Sequence, residues 1–594
     1  MKKLNLLLIA VFTSIITIAQ TGPAGIGNSS DNFIWLDANT LNVSNGASIA
    51  SWRDTSGNDN DAIQAITGNQ PIFETNSKNG FPSVHFDGTD DYLDLSTHST
   101  TDEIYFMSVF SHTNDGTGTI FNNENHALFS SSDKVFGFYA SPAEYLVQTK
   151  VKSNYEMLSF FTSNAISGDF DITNNTNRTT STRSSFNSFT ASSIGMIKNG
   201  SNTYVNPLNG NISEIIAYNR EITDVERVII RTYLAAKYDL PVLSDFYNFN
   251  YRSTHKHGLI GVGFFNGQSH DESRGQGNVL IKNPTSLDVQ FDFLNIGHDN
   301  SGFGTNTSSL PASVVEKWDQ TWRVGRLGNP GQVDLEFFLE SNGFASINDY
   351  VLLIDSDGDF SSGATVFETG RIFSASNNSI TFTGITFSDG DYFTLAEKDP
   401  NPTAIADGDW ENTSTWSCAC VPDATLDVTI PATFDVTINE LADAKSVSIA
   451  SGGSLTIGGF DTLQVSEGLT INGSFNSGGN GTLIGNGSSP QFFTNSSGSN
   501  VSLNHLVANN SSTLFFTGGW TISNSLHASS GTLNVTGDGS VVLLSNASST
   551  AQVLESSGSF TGNFTVQRYI PATPSNYGDI SSPITNATVA SIDD

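Results

Sequence analysis

The stretch that decides the fold is residues 447–471, VSIASGGSLTIGGFDTLQVSEGLTI. Four short segments within it place an apolar residue at every second position, with turns rich in Ser and Gly between most of them: Val447 and Ile449, Leu455 and Ile457, Leu463 and Val465, Leu469 and Ile471. Alternation with a period of two is typical of strands that bury one face. Because strands and turns repeat without a helical segment between them, the stretch predicts the stacked rungs of a β-solenoid.

The same pattern extends over residues 404–570, which we interpret as a region of β-solenoid-like repeats. The spacing between the apolar pairs is irregular, so a β-sandwich is the alternative for this region. Residues 571–594 are a polar tail without a recognisable closing element, as expected of a chain that is incomplete at this end.

Residues 28–240 predict a separate β-domain. Turns rich in Asn, Gly and Asp separate its short apolar segments, which include residues 33–36, 83–86, 104–110 and 210–218. A helix follows, because Thr223 and Glu226 form a capping box and apolar residues then recur at helical spacing. Pro241 is expected to end this helix, which we interpret as a structural plug on the domain.

Residues 241–398 predict a second β-sandwich. Its expected strands are residues 259–265, 289–295, 333–339, 349–354 and 392–396. Val333, Leu335 and Phe337 alternate with polar neighbours, which indicates a sheet with one buried face. Residues 399–402, DPNP, form a linker, since two prolines break any regular element.

The N-terminus predicts export. Lys2 and Lys3 precede an apolar run over residues 4–18, and the small residue Ala19 follows. This layout is typical of a signal peptide, here residues 1–20, removed after Ala19 or Gln20. The run is shorter than the roughly 20 residues that cross a bilayer, and no later stretch is long and apolar enough. We therefore expect a secreted, extracellular or cell-surface protein with no membrane span.

The charge balance excludes one class of partner. The 594 residues include 25 Lys and Arg against 59 Asp and Glu, which gives a net charge of −34. Such an acidic surface repels phosphate backbones, so we expect no nucleic acid partner. The same surface suits calcium, or simply solubility.

Two groups of aspartates are candidate calcium ligands, because hard cations bind several carboxylate oxygens in a tight loop. They are Asp355, Asp357 and Asp359 around Gly358, and Asp87, Asp90, Asp91 and Asp94. The first group does not have the spacing of an EF-hand, and an acidic hairpin turn explains it as well. The alternative for the second group is a solvated turn beside Tyr92 and Leu93, which enter the core.

The only cysteines are Cys418 and Cys420. In an oxidising compartment each can pair only with the other, and such a bridge closes a small strained ring. A disulfide and two free thiols both remain open on the sequence alone. Zinc is disfavoured, because a structural zinc site needs four ligands.

Catalytic signatures are absent from the sequence, which has no His-Glu-x-x-His, no phosphate-binding lysine loop and no Gly-x-Ser-x-Gly elbow. His255 and His257 are expected on one face of a strand, without a carboxylate nearby in sequence. Two carboxylates from distant strands could still form a glycosidase pair. Of the seven tryptophans, Trp35 and Trp52 occupy strand positions typical of core residues.

Three motifs in order resemble the laminin-G-like, concanavalin-A-like jelly roll of secreted bacterial proteins. They are FIWLDA and WRDTSGN (33–38 and 52–58), SVHFDGTDDYL (83–93), and GNISEIIAYN with YLAAKYD (210–219 and 233–239). The resemblance implies a two-sheet sandwich that often binds glycans or proteins, sometimes with calcium. Glucanases on this fold place Glu-x-Asp-x-x-Glu on one strand, and this sequence lacks that spacing.

The other two regions carry weaker resemblances. Residues 293–300, FLNIGHDN, and 352–360, LLIDSDGDF, resemble an uncharacterised β-domain that often follows such jelly rolls. Residues 409–416, DWENTSTW, leading to 427–430, DVTI, look like the repeats of large bacterial adhesins. Those adhesins are often exported by type IX secretion through a C-terminal sorting domain, which is not recognisable before Asp594.

We therefore predict an all-β chain: an N-terminal jelly-roll sandwich, a second β-sandwich and C-terminal β-solenoid-like repeats. The favoured function is that of an adhesin or carbohydrate-binding protein without catalytic activity of its own, with the jelly roll as the binding domain. Its partner would be a polysaccharide or a cell-surface glycan or protein. A carbohydrate-active enzyme on the jelly-roll scaffold and a structural stalk or surface-layer component are the alternatives.

Overall fold

Alternating apolar and polar residues form strands along nearly the whole chain, and the computed structural model is all-β, with 53% strand and 6% helix. It describes residues 22–569 apart from 101–102, 114–115, 123–125, 132, 141–142, 150–153, 164–167, 176, 184–188, 199–202, 243–244, 276–277, 312, 340–348, 419 and 537–539. The expected signal peptide and polar tail lie outside the described residues. The chain divides into two compact units. The first comprises the residues up to Ser309 together with Lys317–Ala396, and the second comprises Leu310–Glu316 together with the residues from Glu397 onward.

The first domain is the expected jelly-roll sandwich, built from two antiparallel eight-stranded sheets. One sheet contains β1 (Asn32–Asp37), β4 (Ile72–Lys78), β5 (Phe81–Asp87), β7 (Glu103–His112), β12 (Glu156–Ser163), β13 (Gly168–Asn174), β14 (Asn177–Arg183) and β18 (Asn209–Tyr218). The other contains β2 (Ser51–Trp52), β3 (Ala62–Ile63), β6 (Leu93–Thr100), β8 (Gly118–Asn122), β9 (His126–Ser130), β10 (Lys134–Ala140), β11 (Ala143–Thr149) and β15 (Phe189–Gly195). A short pair, β16 (Ile197–Lys198) and β17 (Tyr204–Val205), lies beside them.

The helix α1 (Asp224–Tyr238) has the expected capping box. The Glu226 backbone N–H donates to Thr223 Oγ1 at 3.3 Å, and the Thr223 N–H donates to the Glu226 carboxylate at 2.7 Å. The helix ends in the left-handed residue Asp239, before Pro241 is reached. It is buried on almost every side, because the apolar cluster around it joins the jelly roll to the next domain.

The second domain is a sandwich of a nine-stranded and a five-stranded sheet. The larger sheet contains β19 (His257–Phe265), β20 (Gln268–His270), β23 (Asp292–His298), β24 (Thr305–Asn306), β25 (Val314–Trp318), β26 (Trp322–Leu327), β28 (Tyr350–Asp355), β29 (Thr365–Phe367) and β32 (Tyr392–Lys398). The smaller contains β21 (Glu272–Arg274), β22 (Val279–Lys282), β27 (Val333–Phe338), β30 (Arg371–Ser374) and β31 (Ser379–Ile385).

The expectation of one buried face on β27 is confirmed, since Val333, Leu335 and Phe337 are all buried. The expected strand start at Val289 is wrong, because β23 begins at Asp292. Phe291 has a φ of +74°, and the Val289 N–H donates to Asp292 Oδ2 at 3.0 Å. A left-handed turn closed by an aspartate therefore occupies the first residues of the expected strand.

The C-terminal region is a β-solenoid of about seven turns, whose strands pair in parallel with the strands of the next turn. The strands of its first turns are β33 (Gly408–Asp409), β34 (Asp427–Ile430), β35 (Asp435–Ile438), β36 (Leu441–Ile449), β37 (Ser454–Ile457), β38 (Thr462–Ile471), β39 (Ser474–Ser477) and β40 (Thr482–Gly485). Those of its later turns are β41 (Gln491–Asn495), β42 (Val501–Thr517), β43 (Gly519–Val535), β44 (Ser540–Leu543), β45 (Gln552–Val553), β46 (Ser559–Gly562) and β47 (Phe564–Val566). Parallel pairing between turns rules out the alternative sandwich.

Every second residue of each rung points into the solenoid. One inward row stacks Val428, Val447, Leu469, Phe493 and Phe516 on successive turns, all buried. Burial of this row is what makes the alternation visible in the sequence. Shorter helical segments within the described residues include single turns at Pro23–Gly25, Ala38–Thr40, Thr67–Asn69, Phe249–Tyr251 and Thr413–Thr415. Among the described residues, no helix has the length and apolar character needed to cross a membrane.

Candidate functional site

An open groove lies on the outside of the solenoid. Its face is built from the rungs that follow β34 along the solenoid axis. Parallel pairing aligns one outward position of each rung into a row: Asp427, Ser446, Gly468, Phe492, Phe515 and Asn534. The row is polar at both ends and aromatic in the middle, with a glycine at the step before the aromatic pair.

Phe492 is the centre of this groove. Its side chain is 55% exposed, and one face of its ring stacks on Phe515 with the centroids 4.9 Å apart and an interplanar angle of 12°. On its other side the row holds Gly468, which has no side chain to cover the ring. The result is an aromatic platform with one face supported by protein and the other open.

The backbone does not require glycine at position 468. Its φ is not in the left-handed region. A Cβ atom there would meet its nearest atom, the Phe492 carbonyl oxygen, at 3.6 Å, which is an ordinary van der Waals contact. The absence of a side chain therefore creates space over the ring without relieving backbone strain.

A groove of about 600 Å³ opens around the platform. Its walls are mostly hydroxyl and amide groups from three successive turns: Ser446, Ser466, Glu467, Gly468, Thr470, Asn486, Gly487, Ser488, Ser489, Pro490, Phe492 and Thr494. This combination of a few polar groups around an apolar surface is the general character of small-ligand sites.

A charged group lies at the rim. Lys445 Nζ is 3.1 Å from Asp427 Oδ2 and 3.6 Å from Glu467 Oε2. The hydrogen bond from Lys445 to Asp427 and the charges of both carboxylates raise the pKa of Lys445. Burial opposes ionisation of Asp427, but hydrogen bonds from Ser446 and Lys445 outweigh it and lower the Asp427 pKa. The Glu467 side chain is 63% exposed and turns towards solvent at the groove.

The jelly roll contains a contrasting group of buried charges. Lys237 Nζ donates to Asp37 Oδ2 at 2.6 Å, to Glu214 Oε2 at 2.8 Å and to Tyr233 Oη at 3.0 Å. All three charged side chains are at most 5% exposed. Burial lowers the pKa of Lys237, but the two carboxylates outweigh it, so that the pKa is raised.

Glu214 uses all the hydrogen-bonding capacity of its carboxylate. It accepts from four donors within 2.9 Å: Trp35 Nε1, Tyr233 Oη, Tyr238 Oη and Lys237 Nζ. Burial raises its pKa despite the opposing charge of Lys237. Asp37 and Glu214 lie on strands that are far apart in sequence, as the glycosidase alternative requires, and that pair directly in the sheet. Their carboxylate oxygens, however, already accept hydrogen bonds from protein donors. The pair is therefore suited to holding α1 against the sheet.

A cavity of about 250 Å³ lies next to this network, inside the same unit. The imidazoles of His257 and His298 line its opposite side, with their ring centroids 5.9 Å apart. Burial lowers the pKa of His257 to about 4 and of His298 to about 3. The charges of Lys256 and Lys237 add to the shift of His257, and the neighbouring imidazoles of His257 and His255 add to that of His298. The expectation that His255 and His257 share a strand face is wrong, because β19 begins at His257.

Three of the four jelly-roll aspartates come together. Asp87, Asp90 and Asp91 each offer an oxygen within 4.8 Å of the others. The Thr89 N–H donates to Asp87 Oδ1 at 2.7 Å, and the Asp87 N–H donates to Asp91 Oδ2 at 2.9 Å. Burial raises the pKa of Asp91, and the charges of its two neighbours add to the shift. Carboxylate oxygens at this spacing are of the kind that could hold a hard cation.

Asp94 does not join this group. Its carboxylate accepts from Tyr204 Oη at 2.9 Å and from Lys198 Nζ at 3.2 Å. The expected core positions of Tyr92 and Leu93 are confirmed, as both are buried.

The three aspartates of the second domain form a turn after β28. The N–H groups of Asp357 and Gly358 donate to Asp355 Oδ1, and the N–H and Oγ–H of Ser361 donate to Asp359 Oδ1. The bonds from Ser361 lower the pKa of Asp359. Among the described residues, close convergence of three potential metal ligands occurs at Asp87, Asp90 and Asp91 and not in this turn.

Cys418 and Cys420 form a disulfide at the start of the solenoid. Cys418 is buried in the solenoid core, and its carbonyl accepts from Lys398 Nζ at 2.8 Å. All seven tryptophans are buried, at 2% exposure or less: Trp35, Trp52, Trp318, Trp322, Trp410, Trp416 and Trp520. No tryptophan ring is therefore exposed to a ligand.

Comparisons with known proteins match parts of the chain. Residues 275–391 match one domain of unknown function (DUF8202), and residues 403–505 match another (DUF8693). Each match spans less than half of the chain. A search of curated proteins finds no match.

Solved structures with a similar arrangement of strands include three ligand-binding or receptor-binding domains. The Ruminococcus gnavus IT-sialidase CBM40, bound to α2,3-sialyllactose, is 10% identical and covers 25% of this chain and 94% of its own, with a TM-score of 0.20. The botulinum neurotoxin serotype D ligand-binding domain, in complex with N-acetylneuraminic acid, is 10% identical and covers 63% and 92%, with a TM-score of 0.28. The binding domain of Paraclostridial Mosquitocidal Protein 1 is 8% identical and covers 63% and 99%, with a TM-score of 0.27. At such TM-scores these likenesses identify neither function nor ligand for this chain.

Sequence reasoning missed both the platform and the buried charge network. Phe492 can be recognised only if its pairing with Gly468 on the preceding rung is known. The rungs differ in length, so this pairing cannot be inferred from the sequence. Lys237, Asp37 and Glu214 are far apart in sequence, so no motif links them. The one available signal was Lys237 itself, a charged residue on an otherwise apolar face of the cap helix.

Proposed function

We propose that this protein is an exported, cell-surface glycan-binding protein, and that the groove beside Phe492 is where the glycan binds. The observation that carries the proposal is the half-exposed ring, supported by Phe515 on one face and left open by Gly468 on the other. Aromatic rings pack well against the apolar C–H face of a pyranose, which removes both surfaces from water. The N-terminal signal-type sequence supports the proposed export.

The walls of the groove supply the second requirement for a sugar. Thr470 and Thr494 lie on neighbouring rungs in the row next to the platform, and both line the groove. Their hydroxyl groups both donate and accept hydrogen bonds, as sugar hydroxyls do. The arrangement thus offers an apolar surface for one face of a sugar ring and polar partners for its edge.

The proposal differs from the sequence-based expectation in the position of the binding site. The jelly roll was expected to bind the glycan with the repeats as a spacer, whereas the groove is on the repeats. The jelly roll and second sandwich then have a structural role, and their buried charges stabilise them.

Calcium has a separate part in the proposal. Asp87, Asp90 and Asp91 would hold the ion, which would neutralise the negative charges of these three carboxylates in their turn. The solenoid groove lies in the other compact unit, so glycan binding to it does not depend on this ion.

The test is a glycan-array screen of the full chain beside Phe492→Ala and Phe460→Ala. Phe460 is a matched control, because it is a phenylalanine 82% exposed on the same solenoid and does not line the groove. We expect Phe492→Ala to weaken binding at least about tenfold, equivalent to about 1.4 kcal/mol, and Phe460→Ala to leave it unchanged. Binding that survives Phe492→Ala would contradict this groove as the site and place the glycan elsewhere on the chain. Silence across the array would contradict the proposed function and favour a structural stalk.

Gly468→Thr provides a second, independent test. A threonine fills the space over the Phe492 ring, and the surrounding geometry accepts its Cβ. We expect binding to be lost while the melting temperature stays that of the parent protein.

A further inference from the structure

We infer that the groove selects neutral glycans and rejects acidic ones, and that Glu467 is the specificity-determining residue. This inference rests on the proposed glycan-binding function of the groove. It identifies the class of ligand by charge, and it differs from the sialylated ligands named for the structural neighbours.

The charge of the groove is set by one residue. All twelve residues that line the groove are described, and Glu467 is the one among them with a charged side chain. The nearest cation at its rim is Lys445, which is also paired with Asp427 at the shorter distance of 3.1 Å. One lysine shared between two carboxylates leaves a net negative charge at the rim. A sialic acid, uronic acid or sulfate group would meet that charge unpaired.

The other polar groups in the groove recognise hydroxyls and not anions. Anionic sugars are usually held by arginine or lysine, which form charge-assisted hydrogen bonds to carboxylate or sulfate oxygens. The groove offers hydroxyls from Ser466, Thr470 and Thr494 in their place. Glu467 adds two strong acceptor oxygens, which suit donation from the hydroxyls of a neutral sugar.

The length of the groove indicates more than one sugar ring. Its walls come from three successive turns, with Ser446, Gly468 and Phe492 at the same outward position of each. Neighbouring strands are about 4.8 Å apart, so three turns span about 10 Å along the solenoid axis. That length accommodates one pyranose ring against the open face of Phe492, in the space over Gly468, and a linked ring towards Ser446.

The experiment measures the binding of two probe sets to the full chain and to Glu467→Gln and Glu467→Lys. The neutral set is cellotetraose, xylotetraose and laminaritetraose, and the acidic set is 3′-sialyllactose and a chondroitin sulfate tetrasaccharide. We expect the parent protein to bind a neutral probe and none of the acidic ones. Glu467→Gln should weaken neutral binding several-fold, and Glu467→Lys should shift the acidic-to-neutral affinity ratio upward at least about tenfold.

Phe492→Ala separates the two possible failures. Acidic probes that bind the parent protein, and that lose binding in Phe492→Ala, would overturn the inference and leave the groove as a glycan site. Neutral binding whose charge preference is unchanged in Glu467→Lys would overturn the role of Glu467. If no probe of either set binds in a Phe492-dependent way, the proposed function fails and the inference falls with it.

Discussion

The jelly roll and the solenoid both place polar groups beside aromatic rings, but they use them in opposite ways. Around Lys237 every polar group is buried and hydrogen-bonded to another part of the protein, and Trp35 and Tyr233 are among the donors. Around Phe492 the side chains of Glu467 and Thr470 are exposed to solvent, and the ring has a free face. The first arrangement has nothing left to offer a ligand, whereas the second does.

Polar groups whose hydrogen bonds are all made within the protein contribute to stability, whereas polar groups with unused hydrogen-bonding capacity can bind a ligand. A buried charge must be paired, since an unpaired one costs several kcal/mol. An exposed hydroxyl or carboxylate already exchanges partners with water, so a sugar hydroxyl can replace that water at little cost. We therefore expect substitutions around Lys237 to unfold the protein and substitutions around Phe492 to affect binding alone.

The largest expected effect is that of Lys237→Met. It leaves Asp37 and Glu214 buried without their cation, and we expect a loss of about 3–5 kcal/mol in the unfolding free energy of the first unit. Urea denaturation followed by tryptophan fluorescence measures it. Lys198→Met is the control, because its pair with Asp94 is partly exposed, and such pairs contribute less than about 1 kcal/mol. Similar losses in both variants would show that the buried network has no special weight.

The next effect concerns the two sides of one solenoid rung. Leu469 points inward and is fully buried, whereas its neighbour Thr470 points outward into the groove. Leu469→Ala should destabilise the solenoid by about 2–5 kcal/mol because it leaves a cavity in the core. Thr470→Ala should stay within about 0.5 kcal/mol of the parent protein, as expected of a surface position. Calorimetric unfolding distinguishes the two, and equal destabilisation would break the separation between inner and outer rows.

A pH titration should affect the first unit more than the solenoid. His257 and His298 have pKa values of about 4 and 3 in the folded protein, against 6.5 as the ordinary value. Above pH 6.5 both histidines are neutral in the folded and in the unfolded chain, so they do not change the free energy of unfolding. As the pH falls from 6.5 towards 4, the unfolded chain binds more protons than the folded one, and the folded state therefore loses stability. We expect the melting temperature of the first unit to fall by several degrees between neutral pH and pH of about 4.5.

The double variant His257→Asn with His298→Gln checks the assignment of this pH effect. It removes two of the groups that gain protons on unfolding, so the slope of melting temperature against pH should become less steep over the same window. Burial also lowers the pKa of His255 and His270 in this unit, so an unchanged slope would assign the effect to those two histidines or to carboxylates.

The smallest effect is that of calcium on the jelly roll. Calcium at millimolar concentration should raise the melting temperature of the first unit by about 1–2 °C through binding to the folded state alone. Asp90→Asn with Asp91→Asn should abolish the increase, and magnesium, which needs stricter geometry, should not reproduce it. An equal increase in the double variant would remove this turn as the site.

The sequence predicts those parts of the fold that depend on local pattern. Val447 and Ile449 alternate because their rung buries every second residue, and Thr223 with Glu226 identifies the helix start because capping involves residues three apart. The start of β23 was placed three residues early, because Val289 and Phe291 look like strand residues although they form a turn. A turn closed by a side chain can thus interrupt an apolar segment without leaving a compositional sign.

The candidate site could not be predicted, for a different reason. Whether Phe492 is covered depends on the residue in the preceding rung, and the loops between rungs differ in length. The charge network depends on three elements that meet only in the folded jelly roll. The aspartates were visible as a cluster, but only the structure separates Asp94, which is bound to Lys198 and Tyr204, from Asp87, Asp90 and Asp91.

The row of outward positions on the solenoid also has an evolutionary consequence. Each rung contributes one side chain to that row, and its identity is decoupled from the core by the alternation of the strand. A glycine next to an aromatic residue is enough to make an aromatic platform, so one substitution can create, erase or move such a site. Ser446 and Asn534 occupy the same row on other turns. Under the proposed function, single substitutions in this row can therefore change the ligand while every inward residue, and hence the fold, stays the same.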